Sequence, residues 1–201
     1  MSKIKLCGMF REEDIAFVNE AKPDYCGFII NFPKSHRNLT PEKVRELRAG
    51  LREDIIPVGV FVDQPVGVIA PLLLDGTIRV AQLHGHEDDA YIAGLRRLAP
   101  EAVIWKAFKI RSQADLAAAR ASTADRVLLD NGYGTGQPFD WQLVRDIGRP
   151  FLLAGGLTPE NIPDAIRQLR PWGVDLSSGV ETDRLKDREK MIAAVRAARE
   201  A

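Results

Sequence analysis

The sequence predicts a (β/α)₈ barrel that occupies the whole chain, residues 1–201, as one domain. Short apolar runs alternate with helical patterns eight times, which is typical of parallel βα units. Eight strands close a barrel without sheet edges, although an open doubly wound sheet is an alternative. The last two runs break into loops of small residues, where barrels of this class commonly bind phosphate.

The first half of the chain shows four strand–helix units. Gly8 closes the first strand, and Thr40-Pro41-Glu42 has the N-cap, N1 proline and first-turn acid of a helix start. The predicted strands are Ile4–Cys7, Tyr25–Ile30, Ile56–Val62 and Arg79–Leu83. The helices cover Glu12–Ala21, a segment from Thr40, Val66–Leu74 and Asp88–Leu98.

The second half repeats the alternation. The strands are Val103–Phe108, Arg126–Leu129 and the runs that begin at Phe151 and Val174. Helices are predicted over Gln113–Ala121, around Trp141–Ile147, from Thr158 and over Lys186–Ala201. The glycine-rich segment 131–136 fits no nucleotide-binding motif, and its glycines suit the hinges of a loop that covers the site.

The composition restricts the class of protein. The 28 basic and 28 acidic side chains cancel, so no net charge favours nucleic acid or an anionic membrane. Two cysteines form no disulfide framework, and no Cys/His cluster indicates a metal site. The sequence shows no run long enough to span a membrane, and we expect no signal peptide. We therefore expect a cytoplasmic protein, either a monomer or a homodimer, that uses no metal.

The two C-terminal loops are the predicted phosphate site. Gly155-Gly156 follows one buried strand and Ser178-Gly179 follows the next. A strand that ends in glycine before a helix exposes backbone N–H groups, and the helix dipole adds positive potential. Thr158 as N-cap and Pro159 at the first helical position would start that helix.

Two residues at strand ends are candidates for acid–base chemistry. Cys7 ends the first strand and could act as a nucleophile or base if a nearby cation lowered its pKa; alternatively it is a small core residue. Asp130 ends an apolar strand, where a carboxyl tends to a raised pKa and can donate a proton, or it only bonds the loop.

Other polar residues lie near the same strand ends. Arg37 could bind a ligand carboxylate, orient the thiolate, or remain a solvated loop cation. Gln82 and His84 are expected to shape the pocket, His84 through hydrogen bonds. Asp63 is interpreted first as a helix N-cap, and His86 is expected to be exposed.

Seven motifs occur in order along the chain: Lys5-Leu-Cys-Gly8, Gly27-Phe-Ile-Ile30 with Ser35-x-Arg37, Gln82-Leu-His-Gly85, Leu128-Leu-Asp130, Gly134-Thr-Gly136 with Phe139-Asp-Trp141, Leu153-Ala-Gly-Gly-Leu157 and Asp175-Leu-Ser-Ser-Gly-Val-Glu181. The series resembles that of the phosphoribosylanthranilate isomerase family over nearly the whole chain. The resemblance implies an Amadori rearrangement in tryptophan biosynthesis, without a metal or organic cofactor. The small phosphorylated substrate would be N-(5-phosphoribosyl)anthranilate, and the product 1-(2-carboxyphenylamino)-1-deoxyribulose 5-phosphate.

The resemblance also implies roles for individual residues. Cys7 matches the general base of the family and Asp130 its general acid. Arg37 matches the arginine beside the anthranilate end, and the Gly155-Gly156 and Ser178-Gly179 loops match the phosphate grip. Two alternatives remain: a related aldose–ketose isomerase, of the histidine pathway or with two substrates, and a non-catalytic phosphate binder. Cys7 argues against the first, because such enzymes typically carry aspartate there.

Overall fold

The computed structural model describes residues 2–130, 144 and 147–201. Its strands are β1 (Lys3–Cys7), β2 (Tyr25–Ile30), β3 (Asn38–Leu39), β4 (Ile56–Phe61), β5 (Val80–Leu83), β6 (Val103–Lys109), β7 (Arg126–Asp130), β8 (Phe151–Ala154), β9 (Gly173–Leu176), β10 (Glu181–Thr182) and β11 (Leu185–Lys186). Its helices are α1 (Glu12–Ala21), α2 (Pro41–Ala49), α3 (Val66–Leu74), α4 (Asp89–Leu98), α5 (Gln113–Ala121), α6 (Ile162–Leu169) and α7 (Arg188–Glu200). None of these helices is long and apolar enough to cross a membrane.

Eight parallel strands form a closed barrel. They follow the order β1, β2, β4, β5, β6, β7, β8 and β9, and β9 pairs back onto β1. The predicted barrel is therefore confirmed, and the open sheet is excluded. Closure places the first strand beside the last, with Lys5 in register with Asp175.

Side-chain caps start four of the helices. Thr40, Asp88, Ser112 and Asp187 each accept a hydrogen bond from the backbone N–H three residues later, over 2.8–3.3 Å. The last helix begins at Arg188, not at the predicted Lys186, because residues 181–186 form the small β10–β11 hairpin first.

The barrel interior has an apolar lower part. Trp105, Leu128 and Leu152 are buried there, and Tyr25 and Trp172 pack against them near the N-terminal strand ends. The alternate strand residues point outward and pack in the larger core beneath the helices. The polar residues of the interior line the opposite end of the barrel, at the C-terminal ends of the strands.

Candidate active site

A cavity of about 180 Å³ opens at the C-terminal ends of the strands. It brings together every predicted site residue except Arg37: Cys7, Gln82, His84, Asp130, Gly155, Gly156, Ser178 and Gly179. Larger cavities of about 500 and 420 Å³ lie around Trp172 at the other end of the barrel. No cysteine or histidine occurs among the described residues that line them, so they lack this set of acid–base groups.

Cys7 lies at the mouth, at the end of β1, with its side chain almost buried. Its sulfur packs over Gly27, where an added Cβ would lie 2.8 Å from Sγ. Burial raises the pKa of the Cys7 thiol, while the charges of Lys5 and Lys186 act in the opposite direction. Burial acts more strongly on this pKa than the two cations do.

A buried ion pair lies one layer below the Cys7 sulfur. Lys5 Nζ donates to both carboxylate oxygens of Asp175, each over 2.9 Å. Burial lowers the pKa of Lys5, but the negative charges of Asp175 and of an ionised Cys7 outweigh this and raise it. Lys5 is therefore held as an ammonium inside the barrel.

Asp130 and His84 face each other in the cavity. His84 Nε2 lies 3.5 Å from Asp130 Oδ2, and His84 Nδ1 lies 3.3 Å from the Gln82 side-chain nitrogen. The Gln82 oxygen is buried and has no hydrogen-bond partner within the described part of the chain. His84 is thus held against the Gln82 side chain, and the Gln82 oxygen is available to accept a hydrogen bond from a ligand.

The two loops that the sequence predicts to bind phosphate touch each other. Gly155 and Gly156 have φ values of +90° and +66°, which favour glycine. A Cβ on Gly179 would overlap the Leu157 carbonyl oxygen and lie 2.9 Å from its carbonyl carbon. Ser178 and Gly179 open a 3-10 turn, in which the Val180 N–H is bonded to the Ser177 carbonyl. The loops therefore form one surface of small residues.

The predicted start of the helix after Gly155-Gly156 is wrong. Helix α6 begins at Ile162 with Asn161 as its N-cap, four residues after Thr158 begins the turn. The Asn161 side chain accepts from the Thr158 N–H and donates to the Gly156 carbonyl, each over 2.9 Å. It therefore fixes the glycine loop, and Thr158 starts only a turn.

Arg37 lies beside the cavity and is held by a carboxylate. Its guanidinium makes two bonds of 2.6 Å to Glu181, and Glu181 also pairs with the buried Lys186 Nζ at 2.7 Å. Burial raises the pKa of Glu181, but Arg37 and Lys186 outweigh it and leave the pKa low. Burial lowers the pKa of Lys186. Two cations thus share one carboxylate.

Asp63 is not the N-cap that the sequence suggested. Its backbone is left-handed, with φ +51°, and its carboxylate accepts hydrogen bonds from the backbone and ring of the exposed His86. Pro65 occupies the N-cap position of α3. Asp63 does not line the cavity. The glycine-rich loop 131–136 and most of the predicted helix Trp141–Ile147 lie outside the described residues.

Within residues 2–130, 144 and 147–201, no group of three or more His, Cys, Asp or Glu side chains could hold a metal ion.

Comparison with known proteins decides the family. The profile described as N-(5'phosphoribosyl)anthranilate (PRA) isomerase matches residues 4–197. The N-(5'-phosphoribosyl)anthranilate isomerase of Endomicrobium trichonymphae is 42% identical over 201 residues, covering 98% of each chain. The chain belongs to the phosphoribosylanthranilate isomerase family. It is an aldose–ketose isomerase of tryptophan biosynthesis, as the ordered motifs predicted.

Solved structures of the family superpose on the barrel. The phosphoribosylanthranilate isomerase of Thermotoga maritima matches with a TM-score of 0.88 and 34% identity, covering all of both chains. A second phosphoribosylanthranilate isomerase, solved in complex with reduced 1-(o-carboxyphenylamino)-1-deoxyribulose 5-phosphate, matches with a TM-score of 0.85 and 33% identity over all of both chains. The similarity therefore includes both the family sequence and its fold.

The sequence reasoning missed four charged residues of this isomerase: Lys5, Asp175, Glu181 and Lys186. Lys5, Asp175 and Glu181 lie within the family motifs, but a lysine in a strand is usually exposed. One signal was available. Lys5 precedes Cys7 by two positions, so both must point to the same side of β1.

Proposed function

We propose that this isomerase converts N-(5-phosphoribosyl)anthranilate to its aminoketose isomer with Asp130 as general acid and Cys7 as general base. One observation carries the assignment: both side chains and both glycine loops line a single cavity. An acid, a base and an anion site are what this rearrangement needs. A non-catalytic phosphate binder would need only the loops.

The first step opens the furanose ring. Asp130, protonated, donates its proton to the ring oxygen, the bond from that oxygen to C1 breaks, and the anilino nitrogen forms a Schiff base with C1. The ring oxygen becomes a hydroxyl. His84, 3.5 Å from the Asp130 carboxylate, limits the orientations of the acid.

The second step converts the aldose into a ketose by removing a proton from C2 and adding one at C1. The Cys7 thiolate removes the proton from C2. The electron pair of the broken C2–H bond neutralises the iminium and gives an enolamine. The enolamine then gains a proton at C1 and loses one from the C2 oxygen. Proton transfer by a positioned side chain typically contributes ~10²–10⁴-fold to the rate.

The two ends of the substrate fit two anion sites. We assign the phosphate to the loops at Gly155-Gly156 and Ser178-Gly179, and the anthranilate carboxylate to the neighbourhood of Arg37. Arg37 and Lys186 carry two positive charges against the single carboxylate of Glu181. The surplus positive charge favours an anion there.

The cellular setting forms part of the proposal. We infer that the barrel works in the cytoplasm as one domain, as a monomer or homodimer. The balanced charge and the biosynthetic role of the family support this inference.

The test uses enzymatically generated substrate and follows the loss of anthranilate-type fluorescence. Cys7→Ser and Asp130→Asn should each lower kcat/KM by ~10²–10⁴-fold. The matched controls are Cys26→Ala, at a buried cysteine that faces the outer core, and Asp54→Asn, in a surface ion pair. Full activity in Cys7→Ser would refute the base assignment, and full activity in Asp130→Asn would refute the acid.

A further inference from the structure

The pair formed by Lys5 and Asp175 lies inside the barrel, where ion pairs are expensive. Side-chain exposure is 0% for Lys5 and 8% for Asp175. The free-energy cost of removing two charges from water often exceeds the gain from their mutual attraction. Well-packed apolar residues in their place often leave the protein at least as stable. The lower barrel layer is built from such residues. Stability alone therefore does not explain the pair.

The geometry of the pair brings the ammonium to Cys7. Lys5 and Cys7 are alternate residues of β1 and face the same interior. A Cβ on Gly27 would lie 3.0 Å from Lys5 Cε and 2.8 Å from Cys7 Sγ, so the two side chains meet over this glycine. Only a residue without a side chain leaves room for this approach.

Asp175 accepts most of the hydrogen bonds that the Lys5 ammonium can donate. Lysine has three N–H donors, and Asp175 accepts from the ammonium through both oxygens. The positive charge of Lys5 acts on the Cys7 thiol in the direction that lowers its pKa and favours the thiolate. Asp175 therefore restricts the ammonium to a position where its remaining donor can serve the sulfur.

We infer that Lys5 is the positioning residue that stabilises the Cys7 thiolate for proton abstraction, and that Asp175 anchors Lys5 beneath the sulfur. This rests on the proposed role of Cys7 as base. Among the described residues, the other charged or titratable groups near the sulfur are Lys186 on β11, Arg37 against Gly8, the buried Cys26 of β2, and His84 and Asp130 across the cavity. Among the cations, Lys5 has the larger effect on Cys7.

The test removes both charges together, because Lys5→Met alone would leave Asp175 buried without a partner. The double variant Lys5→Met, Asp175→Asn avoids this. The matched control is Lys106→Met, Glu87→Gln. This second buried pair, 3.0 Å apart, lies on the outward face of β6, between the inward Trp105 and Ala107. Circular dichroism and thermal unfolding establish that both double variants are folded.

The thiolate is measured by its absorbance at 240 nm against pH, as the difference from the same protein carrying Cys7→Ser. Subtraction cancels the tyrosines and Cys26. We expect the thiolate step of the Lys5/Asp175 double variant to move up by about 1 unit or more. The limb of the kcat/KM profile that Cys7 sets should move by the same amount, so that activity relative to the wild type recovers at high pH. A merely structural role would lower activity equally at every pH.

Two outcomes would overturn the inference. One is an unmoved thiolate step in the Lys5/Asp175 double variant. The other is an equal shift in the Lys106/Glu87 control, which would indicate general loosening of the barrel. Failure of the proposed function is seen separately, as full activity in Cys7→Ser whatever the titration shows.

Discussion

Gly179→Ala tests whether the two glycine loops form the phosphate site. The added Cβ would overlap the Leu157 carbonyl oxygen and lie 2.9 Å from its carbonyl carbon, whereas carbon atoms pack best about 3.5–4.0 Å apart. Backbone blocks the Cβ on this side, so no rotamer change can relieve the clash. The loops must separate by about 1 Å, and a displacement of that size can cost ~10²-fold in rate.

The assay is steady-state fluorescence with the phosphorylated substrate, together with competitive inhibition by inorganic phosphate. We expect kcat/KM to fall ~10²-fold, mainly through a higher KM, and phosphate to inhibit more weakly. The matched control is Gly67→Ala in α3, where an added Cβ meets nothing within 4 Å. Alanine is the better helix former there by roughly 0.5–1 kcal/mol.

A folded Gly179→Ala protein that keeps wild-type kcat/KM and wild-type phosphate inhibition would refute the phosphate assignment. A lower melting temperature with unchanged kinetics at 25 °C would also refute the assignment, because the contact between the loops would then contribute to stability and not to phosphate binding.

Two further predictions follow from the buried charges. The reaction needs the Cys7 thiolate and a protonated Asp130 at once, so wild-type kcat/KM should be bell-shaped against pH. Asp130→Asn removes the titrating acid, and burial raises the pKa of Cys7, so the residual kcat/KM of this variant should rise about tenfold per pH unit below that pKa. A profile of Asp130→Asn that is flat from pH 7 to 9 would contradict this. Glu181→Gln leaves Lys186 buried without its carboxylate and should lower the free energy of unfolding by about 3–5 kcal/mol. Urea titration measures the loss, and Glu200→Gln, in an exposed pair, should change little.

The sequence could predict the parts of the fold and site that depend on local patterns. Cys7 and Asp130 could be predicted as candidates because each ends a strand, and parallel strands bring their carboxyl ends to one side. The alternation of strands and helices predicted closure. The family motifs, which occur in order along the chain, then assigned the candidate residues to the loops around the mouth of the barrel.

The errors arose where two local signals competed. Thr158-Pro159-Glu160 has the pattern of a helix start, but Asn161 followed by Ile162 and Pro163 has one as well. The Asn161 side chain decides between them by bonding both the Thr158 N–H and the Gly156 carbonyl. That choice depends on the shape of the glycine loop, which no pattern of single residues specifies.

Long-range pairs were out of reach for a different reason. Lys5 and Asp175 are separated by 170 residues, and they become neighbours only when β9 closes onto β1. Glu181 meets Arg37 through a hairpin whose strands have two residues each, too short for a periodic signal. Such contacts follow from closure of the barrel, not from any segment by itself.

Closure also explains how one barrel can hold both a stable core and buried charge. On the inward face, Trp105 and Leu128 fill the lower layer, while Lys5 and Asp175 occupy the layer beneath the mouth. The apolar layer and the outer core beneath the helices stabilise the closed sheet. The charged layer can therefore carry a desolvation cost that a smaller core could not offset. The same segregation keeps the ammonium of Lys5 out of bulk water, where its effect on Cys7 would be screened.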